Sequence, residues 1–126
     1  MSGFSDAYEL KVLDHFTGNT AFTQPEHWWV SLFIGDPDGA GTEVTGVDYG
    51  RVDASFGAAA GGAAANDAEI DFGVAGGDWG EVTHFGIHTT ETGGALMASG
   101  ELSASAEITS GEDVSFPIGD LVLTLE

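Results

Sequence analysis

Four histidines, His15, His27, His84 and His88, are the side chains of this 126-residue sequence best suited to bind a metal or transfer a proton near neutral pH. On a helix, the four-residue spacing of His84 and His88 would bring two zinc ligands together. In a strand the same spacing spans about 13 Å, too far for both side chains to bind one ion. Because the residues between them alternate as in a strand, we expect structural roles for both. His15 and His27 belong to no recognised catalytic or metal-binding pattern.

A glycine-rich acidic loop at residues 35–43 carries Asp36, Asp38 and Glu43. Carboxylate oxygens on a flexible loop are the ligands that Ca²⁺ or Mg²⁺ takes in proteins. The loop departs from the EF-hand pattern, because two rather than three of its ligands stand at alternate positions before the glycine. Two hypotheses follow, a calcium or magnesium site formed by these three residues and a solvated acidic turn. No other cofactor is predicted.

Trp28 and Trp29 are adjacent in an apolar, β-branched segment that is typical of a strand. Successive side chains of a strand point to opposite faces, so only one of the two can enter a core on a single side of a sheet. The other is either covered, by the helix or by another subunit, or forms an exposed platform on which a sugar ring stacks. Both fates remain open, and burial in an interface is the commoner one.

The sequence patterns of common enzymes are absent. There is no G-x-S-x-G nucleophile elbow, H-E-x-x-H helix, phosphate-binding loop or dinucleotide fingerprint. Cysteine is also absent, which excludes thiol catalysis, disulfides and zinc–cysteine sites. We therefore predict that the protein is not an enzyme.

The charge balance is extreme, with 2 Lys and Arg residues against 21 Asp and Glu residues and a net charge of −19. A chain whose only fixed cations are Lys11 and Arg51 cannot neutralise a nucleic acid backbone or an anionic membrane surface. The sequence is nevertheless 42% hydrophobic, which argues against disorder. Its carboxylates are scattered rather than blocked, and in about 1 M salt their repulsion is screened beyond about 3 Å. This composition predicts a protein adapted to multimolar salt.

Near the N-terminus, residues from about 5 to 17 have the pattern of an amphipathic helix. Ser5 is a suitable N-cap, and Gly18 follows the last periodic residue. A helix of about three turns is not stable alone, so its apolar side must pack against the rest of the molecule. The apolar residues that recur at steps of three and four are Phe4, Ala7, Tyr8, Val12, Leu13 and Phe16.

The rest of the chain, from about residue 28 to 125, is predicted to form β-strands separated by glycine-rich turns. A segment of glycine and alanine at 57–65 is either a packed loop or a helix, and its paired glycines favour the loop. The fold class is thus mainly β, an antiparallel β-sandwich or jelly roll with one N-terminal amphipathic helix, and residues 1–126 form one domain. The predicted strands are residues 28–34, 49–56, 67–72, 79–89, 95–102, 106–108, 114–116 and 121–125.

Residues 77–87, Gly-Asp-Trp-Gly-Glu-Val-Thr-His-Phe-Gly-Ile, form the most distinctive segment of the sequence. With it, the chain resembles a family of small structural proteins of tailed phages, often called tail fibre proteins. Gly80 and Gly86 allow a tryptophan and a phenylalanine to pack close to neighbouring backbone, which is a feature of a fold and not of a catalytic site. The other segments that fit the resemblance are 13–16, 20–23, 29–33, 49–52, 56–59, 66–72, 92–96, 100–102 and 119–125.

The resemblance implies a virion structural protein, and the acidity implies the virus of a haloarchaeon. Because virion parts lie on symmetry axes, the resemblance also implies a homo-oligomer, a trimer or pentamer, that contacts other virion proteins. Its location is either the tail, as fibre or baseplate, or the capsid, as decoration or turret. No signal peptide or long apolar run is present, so we expect synthesis in the host cytoplasm. The alternative is a carbohydrate- or receptor-binding module that attaches to a host surface glycan, with Trp28 or Trp29 as the stacking platform.

Overall fold

The computed structural model describes residues 3–124, which contain one helix, close to the N-terminus, and ten short to medium strands. The helix α1 spans Asp6–Phe16 and confirms the prediction. Ser5 is its N-cap, because the Ser5 Oγ accepts the amide proton of Tyr8 at 3.3 Å. Such a cap stabilises a helix by about 1 kcal/mol. The same hydroxyl donates to the Leu96 carbonyl at 2.7 Å and so fixes the start of the helix to the sheet.

All strand pairs are antiparallel, as predicted for a mainly β fold. A six-stranded main sheet has the order β1-β8-β7-β2-β3, and β4 also pairs with β2. Two ribbons, β5 with β10 and β6 with β9, complete the β structure. The strands are β1 (Gly3–Phe4), β2 (Trp29–Ile34), β3 (Thr42–Glu43), β4 (Val52–Asp53), β5 (Ala63–Ala65), β6 (Ile70–Val74), β7 (Gly80–His88), β8 (Leu96–Ile108), β9 (Asp113–Phe116) and β10 (Val122–Thr124).

The core forms where one side of the main sheet meets the two ribbons. Leu32 and Ile87 from the central strands and Ile70 and Leu121 from the ribbon side are each only 1% exposed. In β6 the buried Ile70 and Phe72 alternate with the exposed Asp71, as in a strand with one buried side. The core residues are Tyr8, Val30, Leu32, Val44, Ile70, Phe72, Ala75, Trp79, Val82, Phe85, Ile87, Met97, Ala98, Ile108 and Leu121.

Two predicted strand boundaries are wrong. Residues 95–102 and 106–108 belong to one continuous strand, β8, because β7 is long enough to pair with both. The ladder pauses at a register shift near residue 83 and resumes beyond it. The predicted strand at 49–56 is reduced to β4, since the chain before it turns inward to place Tyr49 and Arg51 against other elements. Residues 57–65 contain no helix, and their last three residues form β5.

The prediction that α1 buries its apolar residues against the rest of the chain is largely wrong. Tyr8 is its buried residue, whereas Leu13 and Phe16 are exposed to 58% and 86%. Leu10, which does not belong to the predicted apolar set, is 64% exposed. Within the described chain, α1 is not long and apolar enough to cross a membrane.

Candidate functional site

The acidic loop places two of its three carboxylates in hydrogen bonds to backbone amides. Asp36 Oδ1 accepts from the Asp38 amide at 3.0 Å, and Asp38 Oδ2 accepts from the amide of Asp6 at 3.0 Å, at the start of α1. Glu43 lies on β3 and is held elsewhere by Arg51. In residues 3–124 no three His, Asp or Glu side chains are grouped to hold a metal ion, so the predicted set is not brought together as one site. The cation hypothesis for this loop stays a prediction.

Glu43, Tyr49 and Arg51 form the most developed polar network of the fold. Arg51 Nη2 donates to Glu43 Oε1 at 2.8 Å and its Nε donates to Oε2 at 2.9 Å, a bidentate ion pair. The Tyr49 hydroxyl donates to Glu43 Oε2 at 2.6 Å and accepts from the Leu32 amide at 3.0 Å. Arg51 also donates to the carbonyls of residues 90 and 93 in the β7–β8 turn. The network therefore joins β2, β3 and that turn.

The surroundings of this network explain its ionisation. Burial opposes the charge on Glu43, but hydrogen bonds from Arg51 and Tyr49 outweigh burial and hold the pKa of this carboxyl below its usual value. Burial and the neighbouring carboxylate raise the pKa of Tyr49. The Tyr49 ring also meets Trp79 edge-on at 5.4 Å and stacks on Phe72 at 6.2 Å. These features are structural, because the groups are saturated by one another.

Ser31 and His88 form a buried pair across β2 and β7. Ser31 Oγ lies 2.8 Å from His88 Nε2, a geometry in which a serine nucleophile can be activated by a base. However, Ser31 is fully buried and His88 is 5% exposed, so no substrate reaches them. Burial lowers the pKa of His88 to about 4, and the charge of Arg51 acts in the same direction. The pair is a hydrogen bond within the sheet between neutral groups.

The two tryptophans lie in different environments. Both are half-buried, but Trp28 packs against the hydrophobic core, while Trp29 opens β2 and lies outside the core cluster. The Trp29 ring is tilted against the His27 ring at 6.0 Å, and His27 in turn contacts Asp53 at 2.8 Å. Because Trp29 does not pack against the core, it is the better placed of the two to contact a partner or ligand. Burial of Trp29 in a subunit interface and stacking of a sugar ring on it both remain predictions.

The outer side of α1 is an apolar surface, formed by Leu10, Leu13 and Phe16, which we call the α1 patch. These residues follow one another at steps of three, so they lie along one side of the helix. Large apolar side chains with this much exposure on one element are typical of interaction surfaces.

On the other flank of α1, a cleft of about 300 Å³ separates the helix from the segment that follows it. We call it the α1 cleft. A second and larger cleft, of about 440 Å³, lies between the far half of β8 and strands β9 and β10. Its floor consists of core residues such as Phe85 and Leu121, and Glu101 and Asp120 are among its polar lining. The residues of the α1 cleft are Tyr8, Lys11, Asp14, Thr20, Ala21, Phe22 and Thr23.

The sequence interpretation missed the network around Arg51 and the α1 cleft, and one observation points to both. The sequence has two fixed cations, and each is expected to contact a carboxylate or a ligand. Arg51 pairs with Glu43, and Lys11 lines the α1 cleft. The partner of Arg51 is Glu43, eight residues earlier, which the sequence pattern groups with the acidic loop instead. Sequence spacing alone did not reveal this pairing.

The model of a family described as "Podophage GP4 fiber I protein gp80" matches residues 3–124, which is nearly the whole chain. No curated protein matches the sequence.

Proposed function

Because the chain belongs to the family of the podophage GP4 fiber I protein gp80, we propose that it is an oligomeric tail component of a virus that infects a haloarchaeon. Membership itself makes the chain a fibre-type structural protein of the virion tail that associates with other virion components. It favours a structural role over an enzymatic one. The observation that carries the proposal is the extent of the match, from residue 3 to residue 124.

The haloarchaeal host is supported by the placement of the carboxylates. Of the acidic side chains in residues 3–124, none is buried, and all except Glu9 and Glu43 are exposed. Such a coat, with a net charge of −19, repels itself strongly in dilute salt and is screened in concentrated salt. The core beneath it is formed by ordinary apolar residues. The acidity is therefore a property of the surface and matches a saline environment.

Self-association is supported by the α1 patch. Each of its three side chains contributes about 1 to 2 kcal/mol when it moves from water into an interface. We propose that the α1 patch contacts the same protein in a trimer or pentamer, an arrangement in which every subunit around a closed symmetry axis can bury the same patch. High salt is a condition of this contact, because each copy carries the same charge of −19.

The oligomer is tested by light scattering after size-exclusion chromatography in multimolar KCl. We expect the wild-type chain to elute as a trimer or pentamer and the double variant Leu13→Gln, Phe16→Gln to elute as a monomer. The matched control is Ile118→Gln, because Ile118 is also exposed, to 69%, but lies far along the chain from α1. A monomeric wild type at high salt, or a double variant that associates as the control does, would show that the α1 patch is not the interface.

A receptor-binding role is the second candidate; the α1 cleft supports it, and sugar stacking on Trp28 or Trp29 stays a prediction. Trp28 packs against the core, and Trp29 leans on His27. The α1 cleft instead combines aromatic rings with unpaired polar groups, which is what recognition of a small polar ligand requires.

A further inference from the structure

The α1 cleft has an aromatic wall. The rings of Tyr8 and Phe22 meet edge to face, with centroids 5.8 Å apart at 86°. Tyr8 is 9% exposed and anchored in the core, whereas Phe22 is half-buried and reaches the cleft from the segment after the helix. The Tyr8 ring is therefore fixed by the core, and the Phe22 ring supplies the more exposed part of the wall. Apolar C–H groups of a ligand ring can pack on such a surface.

The mouth of the α1 cleft carries an ammonium that rests over the Tyr8 ring in a cation–π contact, together with polar groups that make no hydrogen bond within residues 3–124. Lys11 Nζ lies 5.7 Å from the centroid of the Tyr8 ring, and the ammonium makes no ion pair with any residue in the described range. Within residues 3–124, the Asp14 carboxylate and the hydroxyls of Thr20 and Thr23 also have no hydrogen-bond partner. A positively charged donor, a negatively charged acceptor and two hydroxyls thus face one small volume.

The segment that closes the α1 cleft is held in place by hydrogen bonds. The amides of Asn19 and Thr20 donate to the Asp14 carbonyl at 2.9 and 3.2 Å. The amide of Phe22 donates to His15 Nδ1 at 3.0 Å, which gives this histidine a structural role. The cleft is therefore formed before a ligand arrives, and little ordering of the chain is needed on binding.

We propose that the α1 cleft binds the ring of an uncharged saccharide. A sugar ring presents an apolar face for the aromatic wall and adjacent hydroxyls that can accept from Lys11 and donate to Asp14. An acidic ligand would meet the Asp14 carboxylate in the cleft, and an organic cation would meet the Lys11 ammonium, so an uncharged ligand fits this pair of charges best. The volume of about 300 Å³ is at the lower end for ligand pockets and suits one ring or two.

The α1 cleft and the α1 patch lie on different sides of the helix. Residues two apart on a helix are separated by about 200°, so Lys11 and Leu13 point in nearly opposite directions. Each subunit holds a complete cleft, and the two surfaces meet where Asp14 of the cleft lies one turn from Leu10 of the patch. The interpretation of the ligand as a host glycan rests on the proposed virion role, whereas binding itself does not.

Binding is tested by NMR titration of the full ¹⁵N-labelled chain in multimolar KCl with methyl glucoside, methyl galactoside and methyl mannoside. We expect at least one of them to cause saturable amide shifts confined to residues 8–23. Lys11→Met and Asp14→Asn each remove one charge-assisted hydrogen bond and are expected to weaken binding about tenfold. Both side chains are exposed, so neither variant disturbs the core.

The matched control is Glu9→Gln, which removes one carboxylate from α1 outside the cleft and is expected to leave the affinity unchanged. Glycerol has hydroxyls but no ring face and is expected to cause no saturable shift, and glucuronate is expected to bind more weakly than the neutral glycosides. The inference is overturned if none of the three glycosides causes saturable shifts. It is overturned as well if the Lys11→Met and Asp14→Asn variants bind a glycoside as tightly as the wild type does, or if glycerol causes the same shifts as the glycosides. It is also overturned if glucuronate binds more tightly. None of these outcomes bears on the oligomer or on the location in the virion, so the two proposals fail separately.

Discussion

His88 lies inside the main sheet as a neutral imidazole, and acidification is expected to destabilise the fold through it. Its Nε2 is 2.8 Å from Ser31 Oγ, and its ring stacks on Phe33 at 5.9 Å. Burial and the charge of Arg51 lower the pKa of His88 to about 4, although Glu43 acts in the opposite direction. In the unfolded chain the same group titrates near 6.5. Between these values the unfolded state binds more protons than the folded state.

The magnitude follows from the difference between the two pKa values. One pKa unit corresponds to about 1.4 kcal/mol, so a shift from 6.5 to about 4 contributes about 3 kcal/mol to the free energy of unfolding. Because the folded-state pKa is the lower one, this contribution is complete above pH 6.5 and is lost as the pH falls from 6.5 to about 4. Below that range both states are protonated at His88, and the residue causes no further loss.

The assay is chemical denaturation of the wild type and of His88→Gln across this pH range at constant high salt. Glutamine keeps a hydrogen-bonding group beside Ser31 but does not titrate, while the carboxylates titrate in both proteins. The difference in unfolding free energy between them therefore isolates His88. We expect the wild type to lose about 3 kcal/mol relative to the variant between pH 6.5 and pH 4.

Two results would refute this reasoning. The first is a stability difference between wild type and His88→Gln that does not change with pH. The second is an NMR titration in which the imidazole of His88 in the folded protein protonates near pH 6.5. Either result would mean that the buried histidine is accessible to protons and solvent in a way that the pairing with Ser31 does not allow.

The remaining predictions concern packing, the ion pair and salt. Gly46→Ala is expected to destabilise the fold by about 2 kcal/mol in thermal unfolding, because a Cβ there would collide with the Trp79 ring. The control is Gly50→Ala, which is expected to be nearly neutral because the space around Gly50 is open. Arg51→Met leaves Glu43 without its partner and is expected to cost about 3 kcal/mol in denaturant unfolding, a loss that the added change Glu43→Gln should partly reverse. Equal stability of single and double variants would contradict that pairing. In circular dichroism the β signal should disappear in dilute salt and return in multimolar salt, and a full signal without added salt would disprove salt adaptation.

Local patterns account for the elements that the sequence predicts well. The cap at Ser5 and the apolar periodicity define α1, and the run of aromatic and β-branched residues defines β2. The alternation of Ile70 and Phe72 with Asp71 marks the exposed side of β6. In each case the information lies within about ten consecutive residues, which is the range over which propensity and periodicity act.

Elements determined by distant partners could not be predicted in this way. Tyr49 and Arg51 look like the wet side of a strand, but both are drawn inward by Glu43 and by core rings. The length of β8 depends on the length of β7 rather than on its own residues. The exposure of Phe16 has the same origin, because a helical pattern shows which side is apolar and not what covers it.

The most direct test of the central claim, that this is a structural component of a virus tail, is a density map of the intact virion into which the fold is fitted. The account predicts copies of the chain around a symmetry axis of the tail, with the α1 patches in contact and the α1 clefts facing outward. Density for the fold on the capsid shell alone, or its absence from the purified virion, would contradict the account.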